Sequence, residues 1–168
     1  LSAELKTGDT VLVADGLIRL SVKETAGEKG SFVDCIVEDG GPVTSRKGVN
    51  LPGTTIDLPA IGEKDKLALD HALKAGADWI AVSYVRRAED LRPAKEAIKA
   101  AGLHTPVIAK IEHPAALENL HSILDVADGV MVARGDLGVE IPLEQVPLAQ
   151  QRIIDAGLMR GMVVIVAT

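Results

Sequence analysis

Val107-Ile108-Ala109-Lys110-Ile111-Glu112-His113-Pro114 opens as a continuous apolar strand, closes on a charged pair and passes, at the proline, into a helix. The same order recurs on either side. Upstream, Trp79 to Val85 is an apolar strand broken by Ser83, and Leu91, Ala94, Ile98 and Ala101 form a helical face between these two strands. Ala68, Leu69, Ala72 and Leu73 give an earlier helical face that ends at Gly76. Downstream, the helix opened by Pro114 carries Leu117, Leu120 and Leu124. Gly129 to Ala133 is a third strand, Glu144 to Met159 another helix, and Met162 to Ala167 a fourth strand. Strands separated by one helix each, recurring every ~25 to 35 residues, predict right-handed βαβ crossovers and a parallel sheet.

An open doubly wound sheet and part of a (β/α)8 TIM barrel both accommodate such strands. Choosing between them needs the positions of the polar residues. Ser83, Lys110 with Glu112, Arg134 with Asp136, and Thr168 fall at or just beyond the carboxyl ends of successive strands. A (β/α)8 barrel collects its reaction site from successive strands at that face. The expected fold is α/β with a parallel sheet, and about four βα units of a (β/α)8 barrel accommodate that placement.

The residues before Glu63 read differently. Thr10 to Ala14, Leu17 to Val22 and Phe32 to Val37 are short strands, with turns at Asp15-Gly16, Gly27 to Gly30 and Gly40-Gly41-Pro42. They predict a small antiparallel β-barrel module. Lys47-Gly48-Val49-Asn50-Leu51-Pro52-Gly53 has the Gly and Pro content of a linker, which sets the expected domains at 1–53 and 54–168.

Composition narrows the function classes. Of 168 residues 47% are apolar but only 2% aromatic, so the core must be built from Val, Ile, Leu and Ala, as in buried parallel sheets. A net charge of −6 without a block of Lys and Arg argues against nucleic acid and anionic lipid as partners. No apolar stretch is long enough to span a bilayer, and Met162 to Ala167 is far too short. Cys35 is the only cysteine, which rules out an internal disulfide and fits a reducing cytosol. The first residue is Leu1, and Thr168 follows directly on an apolar run, so both ends are expected to be cuts in a longer polypeptide.

Side chains at i and i+2 of a strand share a face, so Lys110 and Glu112 point at one spot while Ile111 packs away. Taken alone, the pair is an ordinary salt bridge at a strand end. Asp136 adds a second carboxylate from the next strand end, making an all-oxygen set suited to Mg²⁺ with positions left for substrate oxygens. Lys110 beside it supplies a further positive charge, and the combination suits a substrate with several anionic oxygens. Arg134-Gly135-Asp136-Leu137-Gly138 reads as a Gly-rich turn whose amides could face an anion, or simply as a turn. Thr168 alone reads first as a helix N-cap. His71, His104 and His121 are expected in solvent, His113, directly after Glu112, has a minor claim to lie near the site, and Cys35 is expected as a small buried side chain.

Together, KGVNLPG at Lys47 to Gly53, KIE at Lys110 to Glu112, MVARGDLGVE at Met131 to Glu140 and the terminal Ala167-Thr168 resemble the pyruvate kinase family in order and spacing. The ten-residue segment is the most specific, and the resemblance runs from the Ala14-Asp15-Gly16 turn to the last residue. It implies that the β module is the mobile lid and that the parallel strands match the fourth to seventh of the barrel. Lys110 matches the catalytic lysine, Glu112 and Asp136 the ligands of Mg²⁺ or Mn²⁺, and Ala133, Arg134 and Gly135 the substrate carboxylate pocket beside Asp136. Thr168 matches the threonine on the enolpyruvate face where a proton arrives. Ser83 matches a serine of the pocket wall. Lys47 matches a lid lysine that meets nucleotide phosphates, with Asp15 in the lid turn. Two positions depart from the family pattern: Ala14 replaces the first of two aspartates, and His113 follows KIE where Asn is common. The substrate-phosphate arginine and the K⁺ ligands lie upstream in the family, outside this chain.

The implied activity is phosphoryl transfer from phosphoenolpyruvate to ADP, giving pyruvate and ATP, in a cytoplasmic homotetramer. The isolated chain, lacking part of the site and carrying open sheet edges, is expected to be inactive and to self-associate. A Mg²⁺-dependent enolpyruvate lyase or aldolase on a related barrel, or a remnant without catalysis, are the alternatives. The lid module, Lys47 and Lys110 argue against the lyase, which has no nucleotide to cover.

Overall fold

The computed structural model describes residues 4–26, 32–54 and 59–167. The chain divides into two compact units, Leu1–Leu58 and Pro59–Thr168. The first contains β1 (Thr10–Val13), β2 (Ile18–Ala26), β3 (Phe32–Asp39) and β4 (Val49–Asn50), in an antiparallel sheet of order β3-β2-β1-β4. No pairing between β3 and β4 closes it into a barrel among the described residues. Its core is small: Leu5, Val11, Val22 and Leu51, with Val13, Leu20, Val33 and Cys35 against them.

The stretch expected to be a linker contributes β4. Val49 and Asn50 pair with Val13 and Leu12, and the Ala14 amide donates to the Gly48 carbonyl at 3.2 Å. Gly and Pro content reports local flexibility and says nothing of long-range backbone pairing, so the compact unit runs past the expected boundary at Gly53. The expected Gly27 to Gly30 turn lies outside the described residues.

The second unit alternates helices and strands: α1 (Glu63–Lys74), β5 (Ile80–Val82), α2 (Arg92–Ala100), β6 (Val107–Ile111), α3 (Pro114–Glu118), α4 (Leu120–Leu124), β7 (Gly129–Ala133), α5 (Arg134–Glu140), α6 (Val146–Leu158) and β8 (Val163–Ala167). The strands are parallel and lie in chain order, β5-β6-β7-β8, as successive staves of a barrel do. Helices α1 and α2 stop at Gly76 and Gly102, whose φ of 77° and 70° suit glycine best. Among the described residues, no helix is long and apolar enough to cross a membrane.

Alternation along each strand sorts its two faces. Val82, Val107, Ala109, Ile111, Val130 and Val132 join Ala94, Ile98, Leu120, Ile123, Ile153 and Ala156 of the helices in one core. The opposite face carries Ile108, Lys110 and Glu112 beside Gly129, Met131 and Ala133, by the register Ile108↔Gly129 and Lys110↔Met131. Helix α6 is pressed onto the strands at Gly157, where a Cβ would lie 2.7 Å from Val164 Cγ2 and 3.0 Å from Val130 Cγ1.

Three local departures from the sequence reading matter. Strand β5 is three residues long, because Tyr84 turns the chain with φ 52°. The single helix expected after Pro114 breaks at Asn119, whose Nδ2 donates to the carbonyls of Ala115 and Arg86, both at 3.0 Å. The expected Gly-rich turn after β7 is the helix α5, anchored by the fully buried Leu137.

Candidate active site at the carboxyl ends of the parallel strands

Strand alternation puts Lys110 and Glu112 on the face away from the helices, with Ile111 between them wholly buried in the core. Lys110 Nζ lies 2.5 Å from Glu112 Oε1 and donates to Ser83 Oγ at 2.9 Å. The other carboxylate oxygen, Oε2, accepts the Tyr84 backbone N–H at 2.7 Å. The Lys110 side chain is 24% exposed and that of Glu112 only 1%. An unpaired carboxylate this deep would be costly, so the lysine and the amide together make its burial tolerable. The lysine ammonium is held in place yet reachable. The Lys110–Glu112 salt bridge lies at the end of β6 and is tied to Ser83 and Tyr84 just beyond β5.

Asp136 sits half-buried in the first turn of α5, just beyond the end of β7. The register Ile111↔Val132 brings Glu112 level with Ala133, so both carboxylates issue from adjacent strand ends. Ala133 is buried, and Gly135 is exposed. The Arg134 guanidinium reaches sideways and donates from Nε to the Ala167 carbonyl of β8 at 2.7 Å. Thr168 lies outside the described residues. Lys47 and Asp15 belong to the antiparallel unit, where both are exposed. Asp15 occupies the β1–β2 turn beside Ala14, with φ of 58° and 56° respectively, a conformation that Asp tolerates better than Ala.

The donor chemistry fits a hard divalent cation. Glu112 and Asp136 offer only oxygen, and each Glu112 oxygen spends one lone pair on its present partner and keeps another. Among the described residues no group of three or more His, Cys, Asp or Glu side chains could hold a metal. A pair of carboxylates is a smaller set, of the kind that leaves most positions to water and substrate.

His113 caps α3, its Nδ1 accepting the Ala115 N–H at 3.1 Å. Burial pushes its pKa below the ordinary histidine value; Glu140 pulls it up, Arg86 pushes the same way as burial, and Glu118 opposes. A ring nitrogen that accepts must be unprotonated, so the bond and the burial agree. His71, His104 and His121 are exposed, as their sequence positions suggested. Cys35 is half-buried against the small core.

Sequence reasoning missed Tyr84, the amide partner of Glu112, because nothing in an apolar run betrays a left-handed residue. It also missed Asp128, whose Oδ2 accepts the Val107 N–H at 2.7 Å and pairs with Lys95, pinning α2 to the start of β6.

A family model described as pyruvate kinase, barrel domain, matches residues 1–168. The chain belongs to the pyruvate kinase family. It is 46% identical over 168 residues to a pyruvate kinase of Mycobacterium tuberculosis, covering all of this chain and 35% of that protein. A pyruvate kinase of Methylorubrum extorquens is 49% identical over 164 residues, 98% of this chain and 33% of its own length. That of Geobacillus stearothermophilus is 44% identical over 166 residues, 98% of this chain and 28% of its own. The chain therefore spans about a third of the length of these pyruvate kinases. Within this family assignment, the parallel unit is part of a (β/α)8 barrel, accompanied by an antiparallel sheet.

Proposed function

We propose that this chain carries the metal and phosphoryl-transfer centre of a pyruvate kinase, which moves a phosphoryl group from phosphoenolpyruvate to ADP in the last step of glycolysis. The observation that carries the reading is the Lys110 ammonium, fixed at 2.5 Å from Glu112 and 2.9 Å from Ser83 at the strand-end rim. In phosphoryl transfer the protein mainly positions reactants and supplies positive charge where negative charge gathers. Lys110 does this without reorganising, because both its partners hold it before substrate arrives.

Glu112 and Asp136 are the residues that would hold Mg²⁺ or Mn²⁺. Bound there, the cation supplies further positive charge against substrate oxygens. Ala133, Arg134 and Gly135 border the carboxylate pocket of the substrate, with Ser83 in its wall. By its match to the family pattern, Thr168 would serve the enolpyruvate face, where a proton reaches the methylene carbon once the phosphoryl group has passed to ADP. The antiparallel unit forms the greater part of a lid on which Lys47 meets the nucleotide phosphates and Asp15 shapes the turn, and the parallel unit belongs to the barrel. K⁺ and its ligands lie beyond this chain. The whole enzyme is a cytoplasmic homotetramer, and the 168-residue chain alone is inactive.

The test is pyruvate formation from phosphoenolpyruvate and ADP, with and without Mg²⁺, by this chain and by one carried to the full length of its relatives. Metal-dependent turnover in the longer protein alone is expected. Absence of turnover there, with metal still bound, would overturn the reading in favour of a lyase or a remnant without catalysis.

A further inference from the structure

Tyr84 is a non-glycine residue with φ 52°, a region that side chains bearing a Cβ disfavour. Ala14, Asp15 and Arg46 share a positive φ, but they belong to the antiparallel unit; Tyr84 is the described non-glycine example in the barrel unit. Backbone held in such a region persists only where its surroundings impose it, and it clusters at sites of function.

The surroundings here are visible over two residues. The Tyr84 N–H donates to Glu112 Oε2 at 2.7 Å, and the next residue, Val85, is wholly buried in the helix-side core. The left-handed turn lets the chain offer its amide to the rim and, one residue later, enter the core. Lys110 holds the other oxygen at 2.5 Å. Only 1% of the Glu112 side chain is exposed, and both of its oxygens already have a protein partner. A backbone amide, unlike a side-chain donor, has no rotamer through which to drift.

We propose that Tyr84 is a positioning residue: its left-handed backbone fixes the Glu112 carboxylate and so sets the affinity of the rim for a divalent cation. The inference rests on the reading of Glu112 as a metal ligand given above. Hydrogen-bonded partners of a ligating carboxylate orient its remaining lone pairs, and losing one costs ~10- to 100-fold in metal affinity. On this proposal the effect lies in the backbone conformation, and substitutions that differ in their tolerance of a positive φ separate it from a contribution of the ring.

The experiment is a Mn²⁺ titration followed by electron paramagnetic resonance, without substrate, on the chain carried to the full length of its relatives. Tyr84→Val, whose β-branch resists a positive φ, is expected to weaken Mn²⁺ binding at least about tenfold. Tyr84→Gly, which adopts that φ freely, is expected to restore affinity to within about threefold of the unsubstituted chain. In assays the Val variant should need more Mg²⁺ for half-maximal rate while approaching the unsubstituted rate at saturating metal. Equal losses in the Val and Gly variants would assign the effect to the ring and overturn the proposal. Unchanged affinity in a folded Val variant would overturn it as well, leaving the functional reading intact. An unsubstituted chain that binds no Mn²⁺ would remove Glu112 as a ligand, and this inference with it. Should the Val variant fail to fold, Tyr84→Ala decides: affinity equal to that of Tyr84→Gly sinks the proposal, and a severalfold deficit supports it.

Discussion

The two units bury their chains to very different depths. In the antiparallel sheet, β3 leaves Phe32, Ile36 and Val37 between 55% and 61% exposed, and the core rests on a few side chains. In the parallel unit, Ile111, Leu120, Ile123, Val130, Val132 and Ile153 are all at 0%. Regions with few buried apolar contacts open at low free energy, whereas deeply packed strands open only with the whole. The candidate catalytic pair stands on the second kind. Ile111, the residue between Lys110 and Glu112, is itself a core side chain, so the position of the charges is tied to the best-packed part of the molecule.

Substitutions sharpen or break this contrast, and the largest effect is expected at Leu120. Replacing this fully buried side chain by alanine should cost about 2 to 5 kcal/mol in urea unfolding of the full-length protein. A cost below about 1 kcal/mol would mean that the core is looser than its burial implies. Next comes Lys110→Met, expected to lower turnover at least about 10²-fold, as loss of one preorganised charge-stabilising donor does, with Mn²⁺ still bound. Near-normal turnover would detach the rim lysine from the chemistry. Gly157→Ala follows: its Cβ would meet Val164 Cγ2 at 2.7 Å, and overpacking of this sort should cost about 1 to 3 kcal/mol. The smallest change is expected in the other unit, where Ile36→Ala on exposed β3 should stay within about 0.5 kcal/mol. A cost like that of Leu120 would show Ile36 covered in solution and collapse the comparison.

The contrast also explains what could be read in advance. The parallel strands were legible because burial on both faces writes a continuous apolar run, and β6 and β7 fall at Val107–Ile111 and Gly129–Ala133, where the runs lie. Lys110, Glu112 and Ser83 were legible as polar interruptions at strand ends. Tyr84 was not, because a positive φ leaves no mark in residue type unless the residue is glycine. The helix α5 was obscured by Gly135 and Gly138, which lower helix propensity while Leu137, buried beneath them, fixes the helix through packing. β4 was hidden for a different reason: two residues pairing with a strand more than thirty positions earlier, Val49 with Val13, carry no local pattern at all.

The spatial order β5-β6-β7-β8 repeats the order of synthesis. Strands β6, β7 and β8 on leaving the ribosome therefore each find a hydrogen-bonding neighbour already made, one or two helices earlier, and never wait for a distant segment. The rim is laid down in the same sequence, with Ser83 and Tyr84 in place before Lys110 and Glu112, and Asp136 after them. Chain growth alone thus presents the buried carboxylate with its amide partner as soon as β6 docks.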